Sequence, residues 1–226
     1  MALINDILDL SKIEAGQMSL EQVLFDLTEL VTDTVAMLQV RAADKELALT
    51  CRIEESLPRQ WVGDPQRVRQ LLLNLLSNAI KFTQKGGVSV RVGPGQGERL
   101  LIEVADTGIG IAAKMQEAIF QPFTQAEMST SRRFGGTGLG LTICWQLVKQ
   151  MGGQMEVESE PGRGSLFRIL LPLPTPEALR EVAGKHTAEQ SSLPLPDGRE
   201  RRATILLVDD ADDNRLLVRA FLKRSP

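Results

Sequence analysis

Asp106-Thr107-Gly108-Ile109-Gly110-Ile111 and Gly135-Gly136-Thr137-Gly138-Leu139-Gly140-Leu141 bound the stretch that decides how this chain is read. Between them lie Phe120-Gln121-Pro122-Phe123 and a polar segment, residues 124–133. The apolar run 100–105 predicts a strand that carries the Asp106 carboxylate at its end. A carboxylate there accepts hydrogen bonds, for instance from an exocyclic amine such as that of adenine. Gly108 and Gly110 allow the backbone to approach a flat ligand closely. The second turn runs straight into an apolar segment, residues 139–151, that reads as a helix. Glycines at a helix N-terminus leave N–H groups free for a phosphate. Two glycine turns with a polar insert between them imply a nucleotide pocket with a lid. The competing reading, two unrelated tight turns, suits either run alone better than both together.

Upstream, residues 65–82 predict a helix that starts at Asp64 as N-cap and Pro65 at the first position. Leu71, Leu72, Leu75, Leu76 and Ile80 make its buried face. Asn74 and Asn78 share another face, with Lys81 one turn on. Asparagine is a middling-to-poor helix former with four hydrogen bonds to satisfy, so two beside a lysine suggest a polar ligand. An amide oxygen can complete a Mg²⁺ shell and a lysine can meet phosphate oxygens. A pair of surface asparagines is the alternative.

Around this centre, residues 2–15 carry an apolar helical stripe that Gly16 ends. Residues 18–27 read as a strand, 28–43 as a helix, 47–53 as a strand and 54–62 as a connection. Residues 88–92 and 100–105 form a hairpin, and 154–159 and 164–171 are the last two strands. Residues 172–202 are rich in Pro, Ser, Gly and charge and read as a linker, with a short helix at 177–183. Residues 204–210 predict a buried strand ending in Asp209 and Asp210, and 214–223 a helix.

The 226 residues suit one full domain plus appendages; 42% are hydrophobic and 24% charged. A net charge of −3 gives no basic footprint for nucleic acid. No apolar run reaches membrane-spanning length and no signal peptide is visible, so the expected location is the cytoplasm. Cys51 and Cys144, without metal spacing, are expected as reduced core residues.

Four motifs in order resemble those of sensor histidine kinases. Asn74-Leu75-Leu76-Ser77-Asn78-Ala79-Ile80-Lys81-Phe82-Thr83 is similar to their N box, and Asp106 to Ile111 to their first glycine box. Phe120 to Phe123 resembles the F box, and Gly136 to Leu141 the second glycine box. Leu3 to Gly16 resembles the end of the dimerisation and phosphotransfer hairpin. Residues 203–225 resemble the start of a receiver domain, as in hybrid kinases.

The resemblance implies a two-layer α/β (α+β) sandwich: a mixed sheet with helices on one face, the ATPase fold of histidine kinases, gyrases and chaperones. It implies four segments: 1–16 from the hairpin, 17–172 as ATP-binding domain, 173–202 as linker and 203–226 as a truncated receiver. It implies a kinase that transfers the ATP γ-phosphoryl to a histidine, with ATP and Mg²⁺ as cofactors. Asn78 would hold the metal, Asp106 the adenine amine, Lys81 a phosphate, and Gly136, Gly138 and Gly140 would follow the phosphates. The catalytic set is Asn74, Asn78 and Lys81; the ATP set adds Phe82, Gly108, Gly110, Ile111, Phe123, Arg133, Thr137 and Leu139. Asp209 and Asp210 resemble the receiver's Mg²⁺ pair.

The implied partners are the acceptor hairpin and receiver of the same parent, a second copy in a parent homodimer, and a downstream response regulator or phosphotransfer protein. An inner-membrane anchor in the parent is left open. The acceptor histidine is expected before Leu3, because the only histidine, His186, lies in the linker. Two other functions stay in view: a hydrolytic ATPase of the wider superfamily, and a scaffold that keeps the fold without the chemistry. Asn74 separates the first of these, since the hydrolytic relatives carry a glutamate there as general base and an amide cannot accept that proton.

Overall fold

The computed structural model describes residues 2–97, 99–124 and 138–180. His186, Asp209, Asp210 and the strand and helix expected around 204–223 lie outside the described residues, as do residues 125–137 of the insert.

Chain order is α1 (Ala2–Glu14), β1 (Val23–Asp26), α2 (Leu27–Ala43), β2 (Ala48–Ile53), β3 (Gln60–Gly63), α3 (Pro65–Phe82), β4 (Gly87–Pro94), β5 (Leu100–Asp106), two 3₁₀ turns (Ala113–Met115 and Ala118–Phe120), α4 (Gly140–Gln150), β6 (Gln154–Glu160) and β7 (Gly164–Leu171). The helix starts are built by side chains. Asp26 accepts from the Glu29 N–H at 3.0 Å, and Asp64 from the Arg67 N–H at 3.0 Å. Pro65 follows Asp64, where a missing N–H costs nothing. At the far end of α3 the Thr83 hydroxyl donates to the Ala79 carbonyl at 2.7 Å.

Five strands form one mixed sheet in the order β2-β4-β5-β7-β6, parallel between β2 and β4 and antiparallel elsewhere. Its two faces differ as strand alternation requires. Val88, Val90 and Val92, then Leu100, Ile102 and Val104, then Phe167, Ile169 and Leu171 are buried and turn to the helices. The other face carries an ion-pair lattice. Arg91 meets Glu103 at 3.1 Å and Glu54 at 3.2 Å, while Arg168 meets Glu103 at 3.0 Å and also Glu158. Solvent screens these surface pairs, so the apolar face holds the fold. Val68, Leu71, Leu72, Leu75, Leu76, Ala79 and Ile80 of α3, with Ile143, Leu147 and Val148 of α4, supply the helical layer of this core.

Three expectations are corrected. The strand predicted over 18–27 is confined to Val23–Asp26, because it exists only where it pairs with β3. That partner begins within the predicted connection 54–62 and runs one residue past it: Gln60–Gly63 forms a separate two-stranded ladder with Val23–Asp26, anchored by the buried Trp61, whose ring N–H donates to the Pro58 carbonyl at 2.7 Å. Cys51 is exposed rather than buried, because β2 is an edge strand with mostly open side chains. Cys144 is buried as expected. Residues 176–180 are helical, close to the short helix expected at 177–183. Among the described residues no helix is long and apolar enough to cross a membrane.

Candidate functional site

The predicted residues gather along the C-terminal half of α3, at the end of β5 and at the start of α4. Asp106 closes β5 with its register partners Ser165 on β7 and Val88 on β4. Its Oδ1 accepts from the Gly108 N–H at 2.8 Å. Burial pushes the Asp106 pKa above the ordinary carboxylate value, opposed by hydrogen bonds from the Gly108 and Ser165 backbone and from the Ser165 hydroxyl. The chain thus holds a partly desolvated carboxylate with fixed donors on one side, able to accept from a further donor.

The turn after Asp106 is fixed by the backbone. A Cβ at Gly108 would stand 2.7 Å from the Phe82 carbonyl oxygen and 2.8 Å from Asp106 Oδ1, so this residue passes directly over the end of α3. Gly110 has φ +68°, and a Cβ there would collide with the Glu160 carbonyl. Ser159 completes the frame. Its hydroxyl accepts from the Ile111 N–H at 2.7 Å, donates to the Gly164 carbonyl at 2.8 Å and lies 3.0 Å from the Ser165 hydroxyl. Ile109 is left exposed at the surface of the turn.

The second turn leans on side chains at Gly140. Gly140 opens α4, and a Cβ on it would lie 3.8 Å from Asn74 Cγ and 3.9 Å from Asn78 Nδ2. Asn74 Nδ2 donates to the Gly140 carbonyl at 3.4 Å. Cys144, one helical turn further, is wholly buried with its thiol pushed up to about 12 by burial, an effect the Asn74 side chain opposes. Leu139 is buried beneath the turn. Gly138, at φ +72°, lies against the Phe123 backbone, so the residues flanking the insert meet. Phe123 is itself at φ 59° with an exposed ring. Lys81 Nζ sits 4.7 Å from the Phe82 ring centroid, and burial lowers its pKa.

So the described site residues form two groups joined by α3: Asp106, Gly108, Gly110 and Ile111 at its Phe82 end beside Lys81, and Gly140, with Leu139, Gly138 and Phe123 next to it, at Asn74 and Asn78; Arg133, Gly136 and Thr137 lie outside the described residues. Sequence reasoning missed Ser165, Ser159 and Thr107. Thr107 accepts from the Gly87 N–H at 3.0 Å and donates to the Lys85 carbonyl at 3.1 Å, closing the loop after α3. A buried serine at the head of an otherwise apolar strand was the available signal for Ser165.

Comparison with known proteins identifies the family. Residues 63–175 match the family model described as histidine kinase-, DNA gyrase B- and HSP90-like ATPase. The chain is 43% identical to "Sensor protein GacS" of Pseudomonas syringae pv. syringae over 91% of its length, and 41% identical to "Hybrid signal transduction histidine kinase A" of Dictyostelium discoideum over 87%. It spans 22% of the first protein and 10% of the second. Among solved structures, full-length ShkA in complex with AMPPNP superposes with a TM-score of 0.70 at 34% identity, covering 77% of this chain and 36% of that one. The chain therefore belongs to the histidine kinase-, DNA gyrase B- and HSP90-like ATPase family, and carries the catalytic domain found in two-component sensor histidine kinases.

Proposed function

We propose that this chain is the ATP-binding core of a hybrid sensor kinase that transfers the γ-phosphoryl of Mg·ATP to a histidine on a dimeric helical hairpin. The observation that carries the reading is that both glycine turns lie against one helix, α3: Gly108, hydrogen-bonded to the half-buried Asp106, passes over the Phe82 carbonyl, and Gly140 rests against Asn74 and Asn78 one to two turns earlier. In this reading Asp106 accepts from the adenine amine, and Gly108, Gly110 and Ile111 lie along the base. Gly136, Gly138 and Gly140, with Thr137 and the N-terminus of α4, follow the phosphates. Lys81 and Arg133 meet phosphate charge.

The donor set fits Mg²⁺ held largely by the nucleotide. Among the described residues no three His, Cys, Asp or Glu side chains cluster as a metal cage, and Asn78 offers a single amide oxygen. Bound there, the ion would neutralise charge on the β- and γ-phosphates. Asn74 cannot act as a general base, which disfavours hydrolysis as the chain's main activity.

The domain limits follow the same reading, with 1–16 from the hairpin, 17–172 as catalytic domain, 173–202 as linker and 203–226 as the start of a receiver that carries the Asp209–Asp210 pair. A receiver, a second copy of the parent and a downstream regulator are its partners. Because the sole histidine, His186, stands in a Pro- and Ser-rich stretch of sequence unlike the acceptor motif, the chain alone is expected not to autophosphorylate. Incubation with γ-labelled ATP, with and without a separate hairpin carrying the acceptor histidine, tests this. Acid-labile label is expected only on the added hairpin. Label on this chain that disappears in His186→Ala, rapid phosphate release without the hairpin, or no label on the hairpin at any concentration would each refute it.

A further inference from the structure

Five polar residues of α3, Arg67, Gln70, Asn74, Asn78 and Lys81, fall on one side of the helix, opposite its apolar face. Asn74 and Asn78 belong to the site already described. Arg67 and Gln70 do not, yet they are as well ordered by contacts as any residue in it. Arg67 Nη1 donates to Gln70 Oε1 at 2.8 Å, Gln70 Nε2 donates to Asp9 Oδ2 at 2.8 Å, and Arg67 Nη1 reaches the same Asp9 oxygen at 3.4 Å. All three are part-buried, with 24% of the Arg67 side chain and 21% of the Asp9 side chain exposed. Asp9 is on α1. Next to it, Leu10 and Ile13 are buried, and α1 also packs on α4, the helix that begins at Gly140.

We propose that Asp9, Arg67 and Gln70 are positioning residues: a bracket that seats α1 on the same polar stripe that carries the metal asparagine. The inference rests on the phosphotransfer reading above. From Arg67 to Asn78 the stripe runs about 16 Å along the axis. A helix clamped at its start therefore lies beside α4 and at a fixed offset from the nucleotide, and whatever pairs with α1 inherits that placement. A salt bridge alone, partly open to solvent, would contribute little. Here the carboxylate oxygen is shared by two donors that are themselves bonded to each other, so losing one member disturbs the other two. The bracket is polar and sits at the edge of an apolar contact. It sets register where Leu10 and Ile13 supply the adhesion.

In the 226-residue chain, Asp9→Ala and Arg67→Ala are compared with the parent sequence by hydrogen exchange over residues 4–13 and by titration with a non-hydrolysable ATP analogue. Alanine raises helix propensity at both positions, so faster exchange cannot come from a weaker helix. The expected result is exchange about tenfold faster in each variant, the scale of one charge-assisted hydrogen bond, no further increase in the double variant, and analogue affinity unchanged. In a chain extended to include the acceptor-bearing helix, each variant should lower the rate of histidine phosphorylation at saturating ATP with the KM for ATP unchanged, and Asp9→Glu should recover most of it. Unchanged exchange in both single variants, additive effects in the double variant, or a phosphorylation rate that stays level or rises overturns the bracket. Failure of the unsubstituted chain to bind the analogue overturns the nucleotide reading instead, and leaves the exchange result to be judged by itself.

Discussion

The two glycine turns look alike in sequence, yet they are held differently. The first, Asp106 to Ile111, is clamped at both of its glycines and by one hydroxyl: Gly108 over the Phe82 carbonyl of α3, Gly110 against the Glu160 carbonyl, Ile111 onto the Ser159 hydroxyl. The second is uneven: Gly138 is tight against the Phe123 backbone, whereas Gly140 leans on the amides of Asn74 and Asn78 at ordinary contact distance. The difference separates Gly108 and Gly110, which the fold needs as glycine, from Gly140, which it can replace. Substitution of the first two should therefore be felt as lost stability, and of Gly140, under the proposed function, as lost binding.

The largest effect is expected for Gly110→Ala. The left-handed φ and the collision with the Glu160 carbonyl force a backbone shift, which costs roughly 3 kcal/mol or more and lowers Tm by on the order of 10 °C. A thermal melt within a degree or two of the parent would show that this turn is not fastened as described. Next in size is the protection of Cys144. Exposed Cys51 should react with a thiol reagent in the native state while Cys144 waits for unfolding. An ATP analogue at 100 times its Kd should slow Cys144 labelling about 100-fold. Labelling of Cys144 as fast as Cys51 would place α4 outside the cooperative core.

A smaller and oppositely signed effect is expected for the stability of Asp106→Asn. The folded-state pKa of Asp106 is raised by burial, so ionisation costs the folded state more than the unfolded one. Stability falls as pH rises from the ordinary carboxylate value through the raised one. Asp106→Asn should therefore melt no lower than the parent at pH 7, and any gain should vanish below pH 4, where the parent carboxyl is protonated in both states. A Tm well below the parent at pH 7 would give Asp106 a structural role instead. The smallest stability change belongs to Gly140→Ala. The new Cβ meets nothing closer than 3.8 Å and removes a helical glycine, so Tm should hold or rise slightly while analogue affinity falls as the space beside Asn78 narrows. A melt that drops as far as that of Gly110→Ala would erase the distinction between the turns.

The central elements were legible because their signals are local. Asp64-Pro65 fixed the start of α3, the spacing of leucines fixed its buried face, and the alternation in 88–92, 100–105 and 164–171 fixed three strands. What escaped depends on pairing across the chain. β3 exists through Val23–Asp26, and nothing within Gln60–Gly63 announces it. Cys51 looked like core because its strand alternates, but on an edge strand only Leu49 and Ile53 of that face reach the core, and Cys51 between them is left exposed. At the site, Asp106 and both asparagines stood out by residue type. Ser159 and Ser165 did not, because their role arises only when β6 and β7 meet behind Asp106. The Asp9 contact with Arg67 and Gln70 spans 58 and 61 residues and was invisible to any local pattern.

The most direct test of the whole account is calorimetric titration of a non-hydrolysable ATP analogue with Mg²⁺ into the parent chain and into Asp106→Asn at pH 7. The parent should bind one analogue per chain. The variant, folded as shown by its melt, should bind about 10- to 100-fold more weakly, the range set by losing a hydrogen bond to a charged group. Equal affinity in the two proteins would contradict the assignment of Asp106 to the base, and with it the pocket built from the two glycine turns.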